Sequence, residues 1–570
     1  RPGWPTGGSY DFKFEVTGAV TIKAQPAATG TFTIKWPDGT EQTTAGSNSI
    51  TAPDATEGIV SINKKTDTTY ADEFAVVGGQ TAVTKVISWG QNPWSNMYLA
   101  FDGCTSLSDI STTSFISSPN QAIANKSMIK MFNGCTSLLE ADIKNWDLTP
   151  GVDWNGGSPF NGLVNLQKLD MTGMSIKILT RGTGAFAGIG TAVTNGCEFL
   201  MSGIDWSTTT GTIWQDFFAN AKINPNSDLS NWVFPSSSVT LNRFFRGGSL
   251  AGVNSTLNMS GWSTLSTGSF YQFFQNFNSA DSPDTDQGMR INISNINVSG
   301  ASGFNSMFEG CDVTEIIGLS TLGASSAANA NLNKFADNAR FLKFSSSDNF
   351  SNAFIASLNP SNVGEAFQWC GSGVSSNFGA APNLTNINLS NVTSLSSTFE
   401  GARFYDAPDL STATFPSTGV EFFKTFKTMR TENSNTHVDF SNVSVKISNA
   451  REMFNSAYVD NVTFGNNVDF SLCTDVYRKF NNSSLKSGTI NITYPTAESG
   501  LSWAALTQPY QWFTSTTGPT TGPLTTCQVD NLIRSFRATA YGSALTVDFY
   551  QSQITEAPSL VNAQEAELVA

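Results

Sequence analysis

Charge is scarce in this chain. Lys, Arg, Asp and Glu together make up 13% of its 570 residues, and acids outnumber bases to give a formal net charge of -14. A surface of that sign repels phosphate backbones and anionic headgroups, which argues against nucleic acid and against an anionic membrane as partners. Histidine is scarcer still, with His437 the only one. Serine and cysteine nucleophiles are usually activated by a histidine base, and zinc sites combine several His or Cys, so both chemistries are poorly supplied. There is no Gly-rich phosphate loop and no run near the ~18 apolar residues of a membrane span. A secretory leader, an initial Met and an anchoring signal are also missing from the sequence, so we expect a processed chain or a piece of a longer one. The seven cysteines are odd in number and widely spaced, with no CxxC. That pattern points to mostly free thiols rather than to a disulfide framework.

What is present is aromatic. The chain holds 42 Phe and 48 Gly among many Ser, Thr and Asn, unlike a disordered chain, which lacks aromatics. Its length exceeds what one ordinary core serves, so several domains or a repeat array is expected. Residues 1–90 carry period-two alternation at Tyr10, Phe12, Phe14 and Val16, and again at Phe32, Ile34 and Trp36 before Pro37-Asp-Gly-Thr40. Alternation ending in an Asp-Gly turn predicts strands and hairpins, here a β-sandwich-like domain.

Beyond Trp94 a repeat takes over. A marker Phe recurs at Phe101, Phe132, Phe160, Phe186, Phe218, Phe245, Phe274, Phe308, Phe335, Phe367, Phe399, Phe426, Phe454 and Phe480, about every 29 residues. Such a period denotes stacked supersecondary units, here about fourteen over residues 91–504. Four residues before most markers stands a second apolar residue, as at Met97, Met128, Trp214 and Leu241. Pairs at i and i+4 share one helix face, which predicts a short helix in each unit. A turn then leads to apolar–Asp/Asn–apolar triplets, each read as a short strand with two side chains inward and a polar one outward. Residues 505–526 are rich in Gly-Pro turns, and 505–570 read as a connector and a closing cap.

The run Met131-Phe-Asn-Gly-Cys-Thr-Ser-Leu138, followed by Asn145-Trp-Asp147, resembles the BspA-like leucine-rich repeats of microbial surface proteins. Trp94 to Leu107 and Phe304 to Cys311 are similar to the same unit. The resemblance implies an α/β solenoid of short helix plus short parallel strand, displayed on a surface for adhesion or partner binding. Relatives of that kind also occur on bacteriophage particles, and the family implies no catalytic residues.

The polar residues of the triplets, Asp142, Asp170, Asn258, Asn292, Asn388, Asp439, Asp469 and Asn491, with Asp548 beyond them, are the candidate binding row on the open sheet face. A ladder of carboxylates and amides can hydrogen-bond sugars or a polar protein face, or can simply keep the sheet wet. Marker-to-strand gaps lengthen from ten residues (Phe132 to Asp142) to eighteen and twenty-one elsewhere, and such insertions form loops on one edge that commonly carry binding. The acidic loop Asp281–Gly288 departs from EF-hand spacing, so we assign no metal and no cofactor. Asn-x-Ser/Thr sequons such as those at Asn297 and Asn391 follow from the repeat's own turn. The recurrent Trp146, Trp206, Trp232 and Trp262 are expected to pack rather than to stack on sugars. The expectation is a non-enzymatic external protein, on a virion or else on a bacterial cell, that recognises a surface protein, a glycan or a neighbouring virion protein. A hidden polysaccharide-cleaving pair of carboxylates is the enzymatic alternative.

Overall fold

The structure, a computed structural model, describes residues 12–24, 31–45, 49–52, 57–64, 74–90, 97–112, 128–152, 154, 157–262, 269–278, 287–296, 301, 303–318, 330–343, 360–373, 379–382, 384–433, 436–465, 467–469, 472–475 and 491–493. The expected cap at 505–570, Phe480, Asp548 and the acidic loop residues 281–286 lie outside them. The chain divides into two compact units, residues 1–268 with 291–297, and residues 269–290 with 298–570.

The first unit begins with antiparallel strands, as the alternation predicts. β1 (Phe12–Val16), β2 (Thr21–Ala24), β3 (Thr31–Lys35), β4 (Glu41–Ala45), β5 (Ser49–Thr51), β6 (Gly58–Lys64), β7 (Phe74–Gly78) and β8 (Val83–Ser88) make two sheets, ordered β4-β3-β6-β1-β8 and β5-β2-β7. Phe12, Phe14 and Val16 of β1 point inward and are buried. The boundary near residue 90 is not a break in packing. Val76 of β7 donates its N–H to Ala100 O at 3.0 Å, and Val86 of β8 donates to Asp109 O at 2.9 Å. Trp89 meets Phe12, Phe101, Phe132 and Trp146, with ring centroids 5.2–6.5 Å apart. Two strands of the opening sheets therefore lie on both sides of the first repeat and close its end.

The repeats wind as a parallel β-solenoid in each unit. In the first, β9 (Glu140–Asp142), β10 (Leu148–Val152), β11 (Lys168–Asp170), β12 (Ile176–Ile178) and β13 (Glu198–Leu200) pair only in parallel, as β9-β11-β13 and β10-β12. In the second, His437–Phe440, Asn461–Phe464 and Asn491–Thr493 pair in parallel, as do Gly419–Glu421, Val445–Asn449 and Val468–Asp469. Marker rings form files through the interior. Phe101, Phe132 and Phe160 stack in succession, as do Phe186, Phe218 and Phe245. In the second unit Phe274 stacks on Phe308, and Phe367, Phe399, Phe426 and Phe454 follow one another.

The short helix expected before each marker is absent at every described marker. The only helix among the described residues is one 3-10 turn, Gln80–Ala82. The segment is instead a pair of linked tight turns. Met131, Asn133 and Cys135 donate their N–H to Met128 O, Lys130 O and Phe132 O at 3.0–3.2 Å, each three residues back. The alternate N–H groups leave the segment: Lys130 donates to Ser158 O and Phe132 to Pro159 O, both one coil on. The residues two before and two after the marker are left-handed, with φ of 52° at Lys130 and 73° at Gly134. This arrangement keeps the marker and the residue four before it on the same side, so the i, i+4 spacing holds without a helix. An α-helix needs 8–10 Å to its neighbour, whereas hydrogen-bonded strands advance by about 4.8 Å. A double turn that bonds along the stack advances in step with the strands. The left-handed residues cost roughly 1–2 kcal/mol each outside glycine, and the hydrogen bonds between coils offset that cost.

Phe335 is one residue out of line. The left-handed residues there are Lys334 and Asn338, and Ala336, not Phe335, donates to Ala366 O across the coil. Ala336 holds the marker position, and Phe335 meets Phe308 and Phe367 edge-on at 80° and 66°.

Six cysteines, Cys104, Cys135, Cys197, Cys311, Cys370 and Cys473, are described, and all are buried. Cys104, Cys135, Cys311 and Cys370 occupy the place three after the marker, where a small apolar side chain fits under the next coil. Burial pushes the Cys104 thiol up to about 12 and Cys197 well above the usual thiol range.

Candidate functional site

The polar row is built by the strands and the turns after them. In the first unit Asp142, Asp170 and Leu200 stand in register, and bridges carry the file on through Asp228 to Asn258. Asn292 Nδ2 reaches Asn258 Oδ1 at 3.4 Å. The flanking residues Ala141, Ile143, Leu169, Met171, Leu257 and Met259 face the core, as the triplet pattern requires. Asp228 belongs to this row although the residue before it is Ser227, not an apolar one.

In the second unit the row is broken up. Asn388 bridges to Thr414. Asp439 stands beside Thr463 and then Thr493. Asp469 and Asn491 do not join it: Asp469 pairs with Lys446, and Asn491 with Asn461 in the file that begins at His437. His437 is exposed, and its Nε2 lies 2.7 Å from Thr463 Oγ1.

Each row residue already has structural work. The side-chain oxygens of Asp142, Asp170, Asp228, Asn258, Asn292, Asn388 and Asp439 accept the backbone N–H two residues on, at 2.7–3.2 Å. These are Asx turns, which let a short polar side chain complete a turn that the backbone leaves open. They explain the recurrent Asn/Asp-x-Ser/Thr spelling without glycosylation. One oxygen of each group is thereby committed, which leaves the second carboxylate oxygen of each Asp and the Nδ2 of each Asn for other partners. Lys144 bridges Asp142 and Asp170 at 3.2 and 3.0 Å. Burial would raise the Asp170 carboxyl, but the Thr172 N–H that donates to it and the Lys144 ammonium outweigh burial and hold it below the ordinary carboxylate range. Trp206, Trp232 and Trp262 are fully buried, and Trp232 and Trp262 stack at 5.1 Å and donate to Met201 O and Leu229 O. They are core, not sugar platforms.

A second charged file, on the turn side, is invisible in the triplet pattern. In the second unit Gln275 donates to Glu309 at 3.1 Å, Gln368 to Glu400 at 2.9 Å, and Lys334 sits 3.2 Å from Glu365 and 3.8 Å from Asp337. Asp337 is buried, and its carboxyl is pushed up to about 6, first by burial and further by Glu309 and Glu365, with Lys334 opposing. An acid whose folded value is raised binds protons more tightly when native, so stability is greatest below the ordinary carboxylate value and is lost as pH rises toward 6. Asp337→Asn should remove that loss, a gain on the order of 2 kcal/mol at pH 7 over the parent that shrinks toward pH 4. Urea unfolding of both proteins across this range checks it, and a difference independent of pH would refute it.

The first unit carries a notch of about 370 Å³ lined by Leu139, Asn165, Gln167, Ala192, Val193, Thr194 and Asn195. Among the described residues no group of three or more His, Cys, Asp or Glu is placed to hold a metal ion, and no helix is long and apolar enough to cross a membrane. No family model, curated protein or solved structure matches the chain.

Proposed function

We propose that this chain is a non-enzymatic recognition protein displayed on an outer surface, that of a virion or of a bacterial cell, where its solenoid binds a host-surface protein or glycan, or a neighbouring protein of the same particle. The observation that carries the reading is the polar row of the first unit. Asp142, Asp170, Asp228, Asn258 and Asn292 place a hydrogen-bonding group on five of six successive coils, with Leu200 the one interruption, and the Asx turn fixes each one in place. A row ordered in advance loses little side-chain entropy on binding, which favours recognition of a long polar partner. The sequence resemblance to BspA-like leucine-rich repeats supports the same reading, with the linked turns standing where that comparison implies a helix.

The test is a binding screen of the full chain against glycans and whole cells, with polymer length followed in parallel. Saturable binding without loss of polymer length is the expected result. Shortening of a capsule or wall polysaccharide would replace this reading with an enzymatic one, and absence of binding to any cell or glycan would remove the surface-recognition role.

A further inference from the structure

We infer that the notch over Leu139 is a subsite for an uncharged saccharide, which rests on the recognition role proposed above and gives it a ligand class. Three successive coils build it, and the third has a longer loop. Ten residues separate Phe132 from Asp142 and Phe160 from Asp170, but fourteen separate Phe186 from Leu200, although the three strand residues stand in register. The added residues form the overhanging wall Ala192–Asn195.

That wall is fixed. Ala192 donates to Val164 O at 3.0 Å, Gly190 to Leu163 O at 3.1 Å, and Gly196 to Val193 O at 3.0 Å. Gly190 and Gly196 are both left-handed, and a Cβ would stand 2.6 Å from Cys197 N at the first and 2.8 Å from Lys222 O at the second. The ends of the loop can therefore pass close against the neighbouring coil only as glycine.

The lining suits an uncharged, hydroxyl-rich ligand such as a sugar. It carries no charged group, so an anionic or cationic ligand finds no counter-ion there. The side chains of Gln167, Thr194 and Asn195 make no hydrogen bond among the described residues, and Asn165, whose Nδ2 donates to Thr136 O at 2.9 Å, keeps its Oδ1 open. Amides and hydroxyls both donate and accept, as sugar hydroxyls do. Leu139, 42% exposed, offers an aliphatic patch to the C–H face of a ring. A purely apolar ligand would desolvate these amides without repairing their hydrogen bonds, which is unfavourable. The volume lies within the range of small-ligand sites.

The experiment titrates the full chain with neutral oligosaccharides and with uronate-containing ones, read by saturation-transfer NMR. Neutral fragments are expected to bind and uronates to bind less well. Gln167→Ala with Asn195→Ala should weaken binding about tenfold or more, the worth of one or two hydrogen bonds. Val193→Trp, which fills the notch and removes no polar group, should do the same, and Asp337→Asn should leave binding unchanged. Neutral-sugar binding that survives both notch variants overturns the site but leaves the recognition role standing. Binding to cells without binding to any neutral saccharide overturns the ligand class alone. Binding to neither cells nor glycans overturns this inference together with the role it rests on.

Discussion

Deleting residues 1–90 is expected to make the remaining chain aggregate. The physical reason is at the first coil. Val76 and Val86 supply N–H groups to Ala100 O and Asp109 O, and Thr84 O accepts from Ser108. Phe12 and Phe14 pack on Phe101 at 6.2 and 6.1 Å, and Trp89 closes the cluster. Without these residues the first coil presents unpaired backbone groups beside an aromatic core, which is the template for edge-to-edge association. Repeat arrays depend on such closing elements because no unit buries its own face. Size-exclusion chromatography of the truncated chain is the measurement. A monodisperse truncated protein with the parent's circular dichroism would show that the opening sheets are a separate module and not a closure.

Phe218→Ala should be the most costly single substitution in the first unit. The ring is fully buried, stacks on Phe186 at 5.2 Å and on Phe245 at 5.1 Å, and meets Phe199 edge-on at 5.2 Å. Truncating a buried Phe costs about 3–5 kcal/mol, and each lost aromatic pair adds roughly 0.5–1.5 kcal/mol. The backbone around it is pinned by Phe218 N to Phe244 O at 2.7 Å, so the coil cannot collapse into the space. The denaturation midpoint should fall well below that of Phe218→Leu, which keeps most of the volume. Equal midpoints for the two variants would mean that the ring file contributes volume and nothing directional.

The ring file was legible in the sequence because nearly every described coil buries one large side chain at the same place, Ala336 being the exception, so the period shows through irregular loops. The helix was misread for a definite reason. A spacing of four places two side chains together in an α-helix and in two linked turns alike, and the distinguishing signal lies between them. Gly103, Gly134, Gly162, Gly188, Asn220, Gly247 and Asn276, each two after a marker, are residues that tolerate positive φ. An α-helix would not repeat them there. The same signal identifies the slip at Phe335, since Asn338 stands three after it. The polar row was legible where strands run three residues with an apolar residue on each side, as at Asp142 and Asp170. It failed at Asp469, whose strand pairs with Val445–Asn449 in a different sheet from Asp439, and at Asn491, which stands two residues before Thr493, the residue that continues the Asp439 file. Their triplets carry the same apolar flanks as those of Asp142 and Asp170, so the pattern alone does not separate them. The notch could not be read from the triplets at all. Its signal was the loop length after Phe186, which carries no chemistry until the neighbouring coils are placed beside it.

The alternation of N–H groups along the linked turns has a mechanical consequence. Half of the donors in each turn segment tie it to the adjacent coil and half tie it to itself, so a pull on one chain end loads one inter-coil seam at a time. Under tension such a seam unzips before the next is stressed. Each detached coil of about 29 residues would release roughly 100 Å of slack at ~3.4 Å per residue, a built-in shock absorber in which the coils behind the tear keep their shape.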